Sequence, residues 1–151
     1  MEELVAPLAP LGQLWDPLSE DESSYYMLVL RGPVKVDLVF ERPNVPRPPW
    51  KPSGDNLREI DAHFWDWTLW LASKREKGEA ALVERMLPLM FRHLLAPLGA
   101  AGAPRSLEDA IGLYVPLREQ ATRRFGVAVP PVLGDEVASA VTRAEAPPSS
   151  R

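Results

Sequence analysis

An α+β fold is predicted for this chain: a β-hairpin followed by a bundle of three to four helices. Three observations predict it. Tyr25–Leu30 is a continuous β-favouring run, and across Arg31-Gly32-Pro33 the segment Val34–Phe40 places apolar residues at alternate positions. From Asn56 onward the apolar residues recur instead at steps of three and four, the helical period. Between these patterns stand five prolines in Arg42–Pro52, in a chain with 17 prolines among 151 residues, about twice the usual share of roughly 5%.

The elements follow in order. Leu4, Val5, Leu8, Leu11, Leu14 and Trp15 form a helix-like stripe that Pro7, Pro10 and Pro17 interrupt, so a short helix and a turn are expected over 1–24. The hairpin occupies about 25–40. Residues 42–54 form a proline-rich linker of polyproline character, and Asp55 is the expected N-cap of the first helix. Leu57, Ile60, Phe64, Trp67 and Leu71 line one face of that helix, with Trp65, Leu69 and Ala72 on its flank and Trp70 opposite. Lys74, Arg75 and Lys77 suit its C-terminal end before Gly78. A second helix is expected over Glu79–Leu95 with a kink at Pro88. Ser106-Leu107-Glu108-Asp109 has the form of a capping box opening a third helix to about Phe125, bent at Pro116. Gly134-Asp135 opens a short last helix, and Ala144–Arg151 is expected to be a disordered tail.

Composition narrows the functional classes. A net charge of −4 and a sequence pI near 5.2 argue against a nucleic-acid surface, which carries a basic excess. With no cysteine there is neither a disulfide framework nor a thiolate zinc site, and two histidines are too few for a histidine-rich centre. A metal here would be a hard cation on carboxylates, such as magnesium. The start Met1-Glu2-Glu3 lacks the basic n-region of a signal peptide, and no run of about 18 apolar residues announces a membrane span. The expected compartment is the cytoplasm.

The strand 34–40 carries the main chemical signal. Val34, Val36, Leu38 and Phe40 share one face; Lys35, Asp37 and Val39 share the other. A carboxylate and an ammonium on a strand otherwise suited to burial need a partner, a metal or water. Two readings stay open: a half-exposed face with both charges solvated, or an inward carboxylate that holds a divalent cation or acts as a base.

The strand ending Lys35-Val36-Asp37-Leu38-Val39-Phe40, the loop after it, and a Trp-rich helix ending Lys74-Arg75-Glu76-Lys77-Gly78 resemble the later part of a nucleotidyltransferase. The family is the polymerase-beta-like superfamily, near the aminoglycoside adenylyltransferases, and the resemblance spans roughly residues 25–125. It implies that residues 1–41 are part of a nucleotidyltransferase sheet, with the hairpin at its edge, and that 55–143 are a helical substrate-side domain. It also implies magnesium held by three carboxylates, with Asp37 in the third position as metal ligand or base and Lys35 near the nucleotide phosphates. Trp70, Asp66 and Glu59 would then contact the acceptor. The partners implied are ATP or another nucleotide and a small-molecule hydroxyl. The family's Gly-Ser and Asp-x-Asp signature does not occur in this sequence. The expectation is therefore a C-terminal part of such an enzyme, inactive alone, with self-association through an open strand edge. The alternative is a non-catalytic helical binding or interaction module. A third pattern, Arg58 and His63 at the Arg-x4-His spacing of helical HEPN-type ribonucleases, turns the two side chains about 140° apart on a helix.

Overall fold

The chain divides into two compact units, Met1–Pro46 and Arg47–Arg151. The computed structural model describes residues 14–19, 25–30, 32, 34–39 and 48–143.

The first unit holds a three-stranded antiparallel sheet in the order β1-β2-β3, built from β1 (Leu14–Ser19), β2 (Tyr25–Leu30) and β3 (Val34–Val39). The hairpin expected from the sequence is β2–β3, in unbroken register from Tyr25 opposite Val39 to Leu30 opposite Val34. Gly32 sits in its turn at φ 114°, a conformation that costs an L side chain but not glycine. β1 corrects the expectation of a helix and turn at residues 14–19, and the remainder of 1–24, with most of the expected helical stripe, lies outside the described residues. The strand pairs with β2 through a register shift between Leu14 and Pro17, where a residue without an N–H is tolerated because β1, an outer strand among the described residues, carries an irregularity there. Phe40 and the expected tail 144–151 lie outside the described residues.

The second unit is helical: α1 (Leu57–Glu76), α2 (Ala80–Met90), α3 (Leu107–Phe125) and α4 (Val132–Arg143). α1 packs against each of the other three. Its cap differs from the expected Asp55. Asn56 precedes the helix, and its side chain ties the approaching loop instead, accepting from the Ser53 N–H at 2.9 Å and donating to the Lys51 carbonyl at 3.0 Å. Leu57, Ile60, Phe64 and Leu71 of the expected stripe are fully buried, but Trp65 (1% exposed) takes the place in the core assigned to Trp67, which is half-buried. The reason lies on α4. At Gly134 the helix carries no side chain, and the Trp65 indole fills that space.

α2 runs on through a π-helical turn, Phe91–Leu95, and a last α-turn, Ala96–Leu98, ending at Gly99 with φ 108°. Pro97 has no N–H to give the carbonyl four residues back, which belongs to His93. The Trp50 N–H supplies that bond at 3.1 Å, so the end of the proline-rich segment is fastened to this helix. On α3, Ser106 caps as expected: its Oγ accepts from the Asp109 N–H at 3.1 Å, while Asp109 Oδ2 accepts from the Arg105 N–H at 2.9 Å. α3 stays helical through Pro116, which lies on its exposed side. Leu133, Val137 and Val141 give α4 its buried stripe. Arg75 joins three helices, its guanidinium 2.7 Å from Glu108 Oε1 on α3 and donating to the Val141 carbonyl of α4 at 3.4 Å.

A methyl group at position 134 would sit 2.6 Å from Cζ2 of the buried Trp65 ring. Gly134→Ala is therefore expected to lower unfolding free energy by about 1–3 kcal/mol, despite alanine's better helix propensity. The measurement is the denaturant midpoint by circular dichroism; an unchanged or higher midpoint would show that α4 does not close on Trp65.

Candidate functional site

The predicted site residues fall in both units. On β3, Val34 is exposed, Val36 and Lys35 are half-buried and Asp37 is exposed. Lys35 Nζ donates to Asp37 Oδ1 at 2.6 Å, with side-chain exposures of 16% and 37%. The two charges lie two positions apart on one face, as the alternation requires, and each is the other's partner. Asp37 remains half open to solvent, so its carboxylate is reachable. By itself it offers at most two oxygens, whereas magnesium takes about six in an octahedron. Among the described residues no group of three or more His, Cys, Asp or Glu gathers to hold a metal.

Glu59, Asp66 and Trp70 lie within about 20° of one line along α1, but their environments differ. Glu59 is exposed, Asp66 is buried (4% exposed), and Trp70 is half-buried with the Lys74 ammonium 5.9 Å from its ring centroid. Arg58 and His63 do not converge. Arg58 Nε donates to the Ala128 carbonyl at 3.2 Å, whereas the His63 ring lies between Trp50 and Trp67, with centroids 6.0 and 5.7 Å away. Each has a structural placement, and the ribonuclease-like spacing brings no joint site.

The most developed polar constellation is one that sequence reasoning missed. Asp61 on α1 is 4% exposed, and a single oxygen, Oδ1, collects three partners. Tyr114 O–H donates to it from α3 at 2.7 Å, Trp65 Nε1–H donates at 3.1 Å, and Arg118 of α3 brings its guanidinium to 3.6 Å. Around them Phe64 stacks on Tyr114 with centroids 3.7 Å apart, and Trp65 meets both rings edge-on. Burial pushes the Asp61 carboxyl above its ordinary value of 3.8; Tyr114, Arg118 and Trp65 offset part of that rise. Burial, then the adjacent carboxylate charge, push the Tyr114 phenol well above its ordinary value, so it stays a proton donor in the hydrogen bond. Closed off from solvent, the cluster joins α1 to α3. Its sequence signals were two helical i,i+4 pairs, Asp61/Trp65 and Tyr114/Arg118, and only packing put them together.

Removing the acceptor should be costly. Asp61→Ala leaves an indole N–H, a phenol and a guanidinium buried without it, and is expected to cost about 3–5 kcal/mol, against about 1–2 for Tyr114→Phe, both read by denaturant unfolding. The pH dependence has the opposite sign to that of an ordinary paired carboxylate. Because the folded-state pKa is raised, the folded chain holds the Asp61 proton more tightly than the unfolded one. This contribution to stability is complete below the unfolded value and is lost as pH rises through the folded one. Wild type minus Asp61→Asn, compared across that window, should isolate this loss; a difference independent of pH would contradict it.

Comparison with family models, with curated proteins and with solved structures finds no match for this chain.

Proposed function

We propose that the chain is the C-terminal part of a magnesium-dependent nucleotidyltransferase that transfers a nucleoside monophosphate from ATP or another nucleoside triphosphate to a small-molecule hydroxyl. The observation that carries this reading is the reachable Asp37 carboxylate in mid-strand, with Lys35 beside it on the same face. A sheet unit followed by a separately compact helical unit is consistent with it. In this reading Asp37 is the third metal carboxylate or the base, and Lys35 stands near the nucleotide phosphates. Exposed Glu59 and half-buried Trp70 offer a carboxylate and an aromatic face to an acceptor. Two more carboxylates would have to come from a complete protein, and the chain alone would be inactive. The working compartment in this reading is the cytoplasm; among the described residues no helix is long and apolar enough to cross a membrane.

The test is the intact mass of the natural gene product together with its reading frame. A longer product carrying Gly-Ser and Asp-x-Asp in frame supports the reading. In that protein Asp37→Asn should lower nucleotide-dependent transfer at least about a hundredfold with an unchanged melting temperature. Full transfer by the variant would remove Asp37 from the chemistry.

A second reading, a non-catalytic interaction module, is favoured by the position of β3. Among the described residues it is an outer strand of its sheet, and its Val34 is 51% exposed. Such a strand can accept another as a partner. Under this reading Asp37→Ala alters neither metal nor nucleotide binding by calorimetry.

A further inference from the structure

We propose that β3 is the contact between two copies of this chain, paired antiparallel about a two-fold axis through Val36. The inference deepens, and rests on, the reading of β3 as a docking strand. Among the described residues β3 is bonded to β2 alone, and an outer strand presents backbone N–H and C=O groups that a further strand can satisfy.

The charge pattern selects the occupant. β3 carries one cation and one anion, Lys35 and Asp37, on either side of Val36. With a second copy turned antiparallel about Val36, each Lys35 lies directly opposite the other copy's Asp37. Val34 then lies opposite Leu38. Opposite charges directly across an antiparallel pair are stabilising, and like charges are not. Sliding one strand by two residues sets Lys35 against Lys35 or Asp37 against Asp37, according to direction. Sliding by one sets the outward backbone groups of one copy against residues whose groups point inward. The register centred on Val36 therefore satisfies both the backbone and the charges. It also covers Val34, the most exposed large apolar side chain among the described residues. Because the contact is two-fold, each favourable charge pair occurs twice.

The absence of cysteine makes the axis directly testable. In Val36→Cys each thiol faces its own counterpart, with Cα atoms about 4.5–5.5 Å apart, inside the range a disulfide spans. In Val34→Cys the two thiols are offset by four residues, more than about 13 Å. Mild oxidation should link Val36→Cys into a covalent dimer and leave Val34→Cys unlinked; equal linking of both overturns the register. Sedimentation equilibrium of the full chain gives the second test. Asp37→Lys opposes lysines twice and should raise the dimer dissociation constant about tenfold or more. The double variant Lys35→Asp/Asp37→Lys should restore it, and a dimer indifferent to Asp37→Lys overturns the proposal. A wild-type monomer at sub-millimolar concentration overturns it as well, and hydrogen exchange then separates the two levels. Freely exchanging outward amides on β3 leave the strand available to a different partner, whereas protected ones remove the docking reading too.

Discussion

At the centre of the helical unit one carboxylate oxygen, Asp61 Oδ1, does the work that water would do at a surface. It accepts from Tyr114 and Trp65 and faces Arg118, and these partners come from two helices. A buried carboxylate is tolerated only when its partners are held in place, so the requirement propagates outward. Tyr114 is held by stacking on Phe64, and Trp65 by the gap at Gly134. The pairing of α1 with α3 and the approach of α4 are thus two consequences of seating one acidic side chain. Thr68, also fully buried on α1, solves its own smaller problem by donating to the Phe64 carbonyl at 2.8 Å.

A second constraint is the accounting of backbone groups around proline. Pro97 leaves the His93 carbonyl without its helical donor, and the Trp50 N–H takes the vacancy. That bond turns the end of a proline-rich segment into part of the helical unit. The same bookkeeping explains Pro17, which sits where β1 and β2 shift register. Pro97 and Pro17 therefore each mark a place where one segment meets another.

The charged residues sort by access. Asp61 and Asp66 are on α1 five positions apart, so they point to different sides, and both are buried. Asp37 is reachable and is held against Lys35. A carboxylate closed inside a helix pair serves packing; one half-open on a strand can serve a ligand, a metal or a second strand. The functional proposals rest on β3 for this reason, and not on the more elaborate cluster around Asp61.

The helical period, the capping residues Ser106 and Asp109, and the β2–β3 hairpin were legible in the sequence because each arises from contacts within a few residues. The side-by-side placement of Lys35 and Asp37 was legible for the same reason, since strand alternation alone puts them on one face. β1 was not: its proline-interrupted pattern resembles a broken helix until β2 is there to pair with it. Nor was the exchange of Trp67 for Trp65 in the core: the two lie about 160° apart around α1, and the choice depends on a glycine some seventy residues away. The Asp61 cluster needed both α1 and α3. Local backbone preference and side-chain period are written into neighbouring residues. Which face is buried, and which polar group is sealed in with it, is decided only when distant helices close and every buried donor and acceptor must find its partner.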